Sequence, residues 1–370
     1  MTVYLDANAT DVLRDEARLA MLEALSLEGN PSSVHGPGRA ARRVLEEARD
    51  RMGRYCGVGP EQVVFTSGGT EANMLAIHAL TQGDSLPGGT TRRLLIGATE
   101  HDAVRMARPD AVILPVLADG TLCLDALEKT LADGAPALVC CMAANNETGI
   151  IHPTQEIAAL CARHGALLHV DAVQVAGRMA LSLGSVTSVA LSGHKAGGIM
   201  GAGALILGAE GHITPLIRGG GQERGRRGGT PPLPAILGMM AALEASRQQD
   251  WREIARLRDK VDEAALACGA RVTGDRKVPR LPNTTSLILW GVPAQTQLMM
   301  LDLQGFAVST GSACSSGKVS ASHVLQAMGL GEAAANAIRV SLPWNITEEQ
   351  IDRFIKAYTS MALRLRAKAA

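Results

Sequence analysis

The chain has 370 residues, of which 46% are hydrophobic but only 2% are aromatic, so its core must be built from aliphatic side chains. Its 36 Lys and Arg balance its 36 Asp and Glu, which argues against a general binder of nucleic acid or of acidic membranes. Seven cysteines without a C-x-x-C spacing suit a reducing cytoplasm, and neither a membrane-spanning run nor a signal peptide is visible.

Residues up to about 249 alternate between helical and apolar strand patterns. Strands are predicted at 62–67, 93–101, 110–116, 136–147 and 166–174, with helices at 39–55, 68–80 and 154–165. This alternation is typical of a parallel α/β sheet. Polar residues gather where the strands end, which is where such sheets place their sites.

The pattern changes in the last third of the chain. A long helix with one break is predicted to start after Pro234 and to end near Ala267. Strand patterns at 284–290, 305–312 and 336–342 then mix with a helix at 347–369, which indicates a smaller α+β domain.

Lys195 follows an apolar strand in the segment SVALSGHKAGG. Such a lysine is either an ordinary surface residue at a strand end or a Schiff-base lysine. The second interpretation requires an aldehyde cofactor, and that cofactor needs a binding set elsewhere in the chain.

Asp171 and Gln174 end another strand, in HVDAVQ. Pyridoxal phosphate (PLP) acts as an electron sink only while its ring nitrogen is protonated, and an adjacent carboxylate holds that proton. An ordinary helix N-cap is the alternative for Asp171.

Three more strand ends carry polar groups suited to this chemistry. Gly69 and Thr70 open a helix in FTSGGTEAN, which indicates either an anion site or a plain capping motif. His101 is either structural or a ring-stacking acid–base group. Asn146 lies in AANNETG, where a tight turn is the simpler interpretation.

Cys314 lies in VSTGSACSSGK, among residues too small to bury a thiol. The composition of this segment is typical of a loop, and its glycines favour mobility. A thiol in such a loop suggests a chemical role.

These motifs together resemble those of the cysteine desulfurases, a branch of the class V aminotransferases. The resemblance extends from about Tyr4 to about Ile355 and is carried by LDANAT, GNPSSVHGPGR, FTSGGTEANMLAI, TEHDAV, NNETG, HVDAVQ, SGHK, GGGQERGRRGGT, STGSACSSG and IRVSL. It implies a fold-type I PLP-dependent transferase with a mostly parallel seven-stranded sheet. The large domain would span 12–249, and residues 1–11 and 250–370 would form the small domain with a long catalytic loop at about 309–322.

The resemblance also implies the site. Cys314, Lys195 and His101 would be catalytic, and Arg339, Asn8 and Asn146 would bind the substrate. The cofactor-binding residues would be Gly69, Thr70, His101, Asn146, Asp171, Gln174, Ser192, His194, Lys195 and Thr230.

The implied reaction converts L-cysteine to L-alanine and leaves the sulfur on Cys314 as a persulfide. Thr230 would reach the cofactor of a second subunit, which implies a homodimer. The sulfur acceptor would be an iron–sulfur scaffold or a sulfur carrier, with Cys314 as a transient cluster ligand and no metal in the enzyme itself. One alternative is a selenocysteine lyase or a small-substrate aminotransferase of the same class. The other is a sulfur-carrier or regulatory binding protein that has lost catalysis.

Several positions depart from the family pattern. The turn after Lys195 is the small-residue segment AGGIMGAG, and Gln222 and Gly229 replace residues that are frequently His and Ser. Lys318 places a basic residue near the thiol, where it would favour the thiolate. The family's longer C-terminal tail, which helps to dock the scaffold, has no counterpart after Ala370.

Overall fold

The computed structural model describes residues 2–82, 91–181, 184–208, 213–274, 276, 278–311 and 321–369. The predictions for Cys314, Gly317 and Lys318 therefore concern residues outside the described part of the chain.

The described residues form twelve strands. These are β1 (Val3–Tyr4), β2 (Val63–Thr66), β3 (Arg93–Gly97), β4 (Val112–Leu114), β5 (Ala137–Met142), β6 (Leu167–Asp171), β7 (Ser188–Ser192), β8 (Gly203–Leu207), β9 (Arg271–Val272), β10 (Thr284–Ile288), β11 (Phe306–Ala307) and β12 (Ala337–Ser341).

Eleven α-helices connect or cover these strands in the described ranges. They are α1 (Asp15–Leu25), α2 (Gly36–Cys56), α3 (Gly69–Thr81), α4 (Asp102–Arg105), α5 (Leu124–Leu131), α6 (Thr154–Arg163), α7 (Leu233–Ser246), α8 (Trp251–Ala267), α9 (Ala294–Asp302), α10 (His323–Ala327) and α11 (Glu348–Ala369). None of the helices in these ranges is both long enough and apolar enough to cross a membrane.

Seven strands form the large sheet, in the spatial order β2-β8-β7-β6-β5-β3-β4. Every neighbouring pair is parallel except the two that involve β8, which is antiparallel to both β7 and β2. The prediction of a mostly parallel seven-stranded sheet is confirmed. Parallel strands need crossover connections, and the helices that supply them cover both faces of the sheet.

The central strands of this sheet are mostly apolar because both of their faces are buried, whereas the edge strand β4 is largely exposed. In β5, for example, Val139 and Cys141 lie in one core cluster while Leu138 and Cys140 lie in another on the opposite face. A strand buried in this way has no polar side to alternate with its apolar side. This explains the continuous run ALVCCM.

A second core belongs to the last third of the chain and the first strand. It contains Val3 and Leu5 together with apolar residues of α8, β10, β12 and α11. The antiparallel sheet β12-β10-β9 and the parallel pair β1-β11 frame it. The domain boundaries themselves stay predictions.

Some predicted elements differ from the structure. The predicted break in the long helix is confirmed as the interval between α7 and α8, but α7 starts at Leu233 and not after Pro234. Asp250 ends the break by accepting hydrogen bonds from the backbone N–H groups of Arg252 and Glu253. The strand predicted at 305–312 is shorter in the structure: β11 spans only Phe306–Ala307 because its partner β1 is itself two residues long, and an isolated bridge then joins Ser309 to Arg339.

A buried ion pair joins α2 to the loop at 218–230. Arg49 donates through two nitrogens to the two carboxylate oxygens of Glu223, at 2.6 and 2.8 Å, and both side chains are almost fully buried. The Phe65 backbone N–H also donates to Glu223 at 2.8 Å. Glu223 and Arg224 have φ values of 48° and 58°, a conformation unfavourable for residues with side chains. The ion pair therefore holds the loop in a conformation that it would not choose alone.

We expect Glu223→Gln to lower the free energy of unfolding by about 3 kcal/mol, because it removes the buried partner of Arg49 and leaves that charge only the half-exposed Glu46, at 3.3 Å. Urea denaturation measures the loss. The matched control is Glu244→Gln, which breaks the half-exposed pair between Arg51 of α2 and Glu244 of α7 and should cost less than about 1 kcal/mol. Equal losses in the two variants would contradict this account.

Candidate active site

One cleft, with a volume of about 420 Å³, lies between the large sheet and the sheet that contains β12. Its floor is formed by the carboxyl ends of β5, β6 and β7 and by the start of α3, and Arg339 of β12 faces them. The predicted site residues that line it are Asn8, Gly69, Thr70, His101, Asn146, Asp171, Gln174, Ser192, His194, Lys195 and Arg339. The structure thus brings together residues that are up to 331 positions apart.

Lys195 ends a single 3-10 turn, Gly193–Lys195, directly after β7. Its Nζ donates to the backbone carbonyls of Asn8 and Ala9, both at 2.7 Å. The lysine is therefore directed into the cleft and held near the first strand of the chain, and it does not cap a strand end on the outer surface.

The turn after Lys195 consists of small residues because it packs closely against Arg14. Gly197 has φ +86°, and a Cβ there would lie 2.8 Å from Cγ of Arg14. Arg14 in turn donates to the Ala196 carbonyl at 3.2 Å. The departure from the family pattern at this turn is therefore matched to a neighbouring arginine.

Asp171 is the last residue of β6 and is buried at the floor of the cleft. Burial raises the pKa of its carboxyl, and two hydrogen bonds oppose that rise. The Val173 N–H donates to Oδ1 at 3.0 Å and the Asn73 side-chain amide donates to Oδ2 at 2.7 Å. Both donors favour the ionised form.

The amino end of α3 lies beside Asp171 on the same floor. A Cβ at Gly69 would lie 2.6 Å from Cγ2 of Val173 and 3.4 Å from Cβ of Ser192, so only glycine fits. Backbone N–H groups at a helix start attract anions, and Ser192 and His194 lie in the same cleft. Burial, together with the nearby charges of Lys195 and Arg178, lowers the pKa of His194 to about 4.

His101 caps helix α4. Its Nδ1 accepts a hydrogen bond from the Ala103 N–H at 3.1 Å, so the neutral ring carries its proton on Nε2. This bond fixes the orientation of the ring at the edge of the cleft.

Arg339 is buried and already partly engaged. Nη2 donates to Asp6 Oδ1 at 2.6 Å and Nη1 donates to the Asn146 carbonyl at 3.1 Å. Nε is buried and has no hydrogen-bond partner among the described residues. A carboxylate ligand would supply the missing acceptor.

Asn8 and Gln174 are held by the protein itself. The Asn8 amide donates to the Asn146 carbonyl and to Thr284 Oγ1, both at 2.9 Å. Gln174 donates to the Asn8 carbonyl at 3.1 Å and accepts from Arg178. These bonds position the two side chains before any ligand binds.

Thr230 is exposed and does not line the cleft of its own chain. The loop that carries it docks on the start of α3, where Arg227 donates to both oxygens of Glu71 at 2.7 and 3.1 Å. Burial alone would raise the pKa of Glu71, but the bonds from Arg227 and Ser67 outweigh it and the pKa is lowered. Gln222 accepts from the Gly229 N–H at 3.1 Å within the same loop.

Three side chains at or behind the cleft have no recognisable signal in the sequence, and of these only Asn73 lines the cleft itself. Asn73 and His169 lie behind Asp171, and no local motif distinguishes them from core residues. Glu147 was interpreted only as part of a turn. It accepts a hydrogen bond from Ser322 Oγ, and Gly311 packs against its carboxylate so closely that a Cβ would meet Oε2 at 1.9 Å. Glu147 thus touches the described residues on both sides of segment 312–320.

The described cysteines differ from one another in exposure. Cys56, Cys140, Cys141, Cys161 and Cys268 are buried and free, and Cys123 is half-buried and free. Burial raises the pKa of Cys56 and of Cys161 to about 12. The described ranges contain no group of three or more His, Cys, Asp or Glu residues that could hold a metal ion.

The cleft fits a PLP-type cofactor on the chemistry of its groups. The space beside Gly69 at a helix start suits a phosphate, Asp171 offers a buried acceptor to a protonated ring nitrogen, and Lys195 reaches the same cavity. His101 lies at the edge of this space.

Comparison with known proteins defines the class. Residues 3–354 match the family described as aminotransferase class-V, and the chain belongs to that family. Within it the chain is a member of the cysteine desulfurases. A cysteine desulfurase of Cereibacter sphaeroides is 40% identical over 380 residues, which cover 99% of this chain and 97% of the relative.

Solved structures show the same relationship. A NifS-like protein superposes with a TM-score of 0.89 at 33% identity and covers 98% of this chain and 99% of its own. A structure of SspA in complex with cysteine has a TM-score of 0.79 at 27% identity and covers 93% and 99%. The prediction of a fold-type I architecture is confirmed.

We expect Gly69→Ala to weaken PLP binding about tenfold, because the new methyl group must displace Val173 at an overpacking cost of about 1 to 3 kcal/mol. Absorbance titration of the protein with PLP measures the change. Val173→Ala should restore binding in the double variant, since it removes the clashing Cγ2. Gly36→Ala, whose Cβ would meet nothing within 4 Å, is the control. A double variant as weak as Gly69→Ala would contradict the steric explanation.

Proposed function

We propose that this chain converts L-cysteine to L-alanine with PLP and retains the sulfur on Cys314 as a persulfide. The observation that carries the proposal is the single cleft that joins Lys195, Asp171 and Arg339. When bound, PLP supplies an aldehyde that condenses with amines and a protonated ring that accepts electrons.

The residues of the cleft divide the remaining work. Gly69, Thr70, Ser192 and His194 hold the phosphate, while Asn146 and Gln174 contact the ring hydroxyl side. Asp171 holds the proton of the ring nitrogen. Arg339, with Asn8 and Asn146 beside it, binds the carboxylate of the substrate through the guanidinium face that includes its unpartnered Nε.

Two residues transfer protons. Lys195 takes the proton from the α-carbon of the substrate. His101 would stack over the ring and act as general acid and base through Nε2, because Nδ1 is engaged by Ala103.

Sulfur transfer then balances without another reagent. The Cys314 thiolate attacks the substrate sulfur, an S–S bond forms as the C–S bond breaks, and the carbon gains a proton to become alanine. The alternative thiols are less suited, because Cys56, Cys140, Cys141, Cys161 and Cys268 are buried and a buried thiol resists ionisation. Lys318 would favour the thiolate if it lies near Cys314.

The partners belong to the same proposal. Exposed Thr230 reaches the cofactor of a second subunit, so the working form is a homodimer. A cytoplasmic iron–sulfur scaffold or sulfur carrier takes the persulfide, with Cys314 as a transient cluster ligand on a scaffold.

We expect incubation with L-cysteine to release alanine and to add the mass of one or more sulfur atoms at Cys314, as read by mass spectrometry of the intact protein and its peptides. Cys314→Ala should lose both signals, because no acceptor thiol remains. Cys123→Ala, which removes the half-buried thiol, should keep both. Alanine release that survives in Cys314→Ala would overturn the assigned nucleophile, and alanine without persulfide in the unmodified protein would favour another class V enzyme.

We expect Arg339→Lys to raise the KM for L-cysteine about tenfold or more, because an ammonium cannot hold Asp6 and Asn146 and also grip a carboxylate. Steady-state kinetics measure this value. Arg280→Lys is the matched control, since Arg280 is also buried and pairs with Asp262 at 2.6 Å but does not line the cleft. An unchanged KM in Arg339→Lys would remove Arg339 from the substrate site.

A further inference from the structure

A row of three buried polar side chains extends from Asp171 into the core of the large domain. Asn73 on α3 lies next to the carboxylate, and its Oδ1 is 2.8 Å from Nε2 of His169 on β6. Nδ1 of His169 is 2.8 Å from Oγ of Ser188 on β7. All three side chains have an exposure of 1% or less.

Hydrogen-bond chemistry allows one assignment of donors along this row. The ionised Asp171 can only accept, so the Asn73 NH₂ group faces it and the Asn73 oxygen faces His169. That oxygen can only accept, so Nε2 of His169 carries the proton. Nδ1 then accepts from the Ser188 hydroxyl. The neutral ring is consistent with its burial, which lowers the pKa of His169 to about 4.

We propose that Asn73 and His169 are positioning residues that hold the Asp171 carboxylate as an acceptor toward the ring nitrogen of the cofactor. The proposal rests on the proposed function, because it assigns the row a role in PLP chemistry. His169 acts through Asn73. An Asn73 amide turned by half a rotation would place its NH₂ group against Nε2–H and its oxygen against the carboxylate, and both contacts are repulsive.

The reason for such a row lies in the burial of Asp171. A buried carboxyl tends to take up a proton, and a protonated Asp171 would no longer hold the proton of the ring nitrogen. A donor fixed in orientation counteracts this tendency. If His169 only filled space, an apolar side chain of similar size could replace it without affecting Asp171.

The first test measures the His169 tautomer in the holoenzyme and in the apoenzyme. The protein is labelled with ¹⁵N-histidine, and two-bond ¹⁵N–¹H correlations are recorded and assigned with His169→Gln. We expect a neutral ring protonated at Nε2 in both forms at neutral pH. A ring protonated at Nδ1, or a charged ring, would overturn the proposal.

The second test follows the cofactor. With PLP labelled by ¹⁵N in its ring, His169→Leu should move the ring-nitrogen resonance from the protonated toward the unprotonated range and raise the dissociation constant of PLP about tenfold. His169→Gln should keep both values near those of the unmodified protein, because its amide still donates to Asn73. An unchanged resonance in a folded His169→Leu variant would overturn the proposal.

Two further variants keep the result interpretable. Asn73→Ala removes the donor to Asp171 directly and should shift the ring-nitrogen resonance in the same direction. It takes the place of His169→Leu in this test if His169→Leu does not fold. Thr81→Val is the control, because Thr81 is a buried polar residue of the same helix that bonds only the Ile77 carbonyl among its side-chain contacts. Failure of the unmodified protein to bind PLP would reject the proposed function, whereas the apoenzyme tautomer would still test the hydrogen-bonded row.

Discussion

The arrangement of the cleft depends on a carboxylate buried at its floor. Asp171 lies at the floor of the cleft, where low polarity favours the neutral acid. The Val173 N–H and the Asn73 amide oppose this by donating to its two oxygens. The large sheet supplies the setting, because the carboxyl end of β6 brings Asp171 to the same edge as Lys195 after β7. A cofactor site of the PLP type needs these two residues on one side of the sheet.

The glycine-rich segments serve close packing around that carboxylate. Gly69 lets the start of α3 approach Val173, and Gly197 lets the turn after Lys195 pack against Arg14. The arginine-rich loop is anchored differently, by the buried pair of Arg49 with Glu223. This loop contacts the start of α3 through Arg227 and Glu71 and carries the exposed Thr230.

Much of this could be predicted from local sequence. Elements with a clear hydrophobic pattern lie close to their predicted positions. The helix predicted at 39–55 is α2 (Gly36–Cys56), and the strand predicted at 136–147 is β5 (Ala137–Met142). Edge elements were harder, because β11 has only two residues and depends on β1 for its pairing. Asn73 and His169 escaped notice because a buried polar residue in an apolar run has no local signature. Glu147 was visible as a turn residue, but its contacts with Gly311 and Ser322 join distant segments.

The sequence by itself determined the class of the protein and the residue types of its site, because lysine, aspartate, histidine and glycine must follow particular strands for this chemistry. It also singled out Cys314, since residues so small cannot bury a thiol. Only the tertiary structure decided which other side chains hold the site residues in place by hydrogen bonds. Hydrogen bonds such as those of Asn73 with Asp171 and His169 join positions 98 and 96 residues apart, and their donors and acceptors are set by geometry that forms only when α3 packs on the sheet.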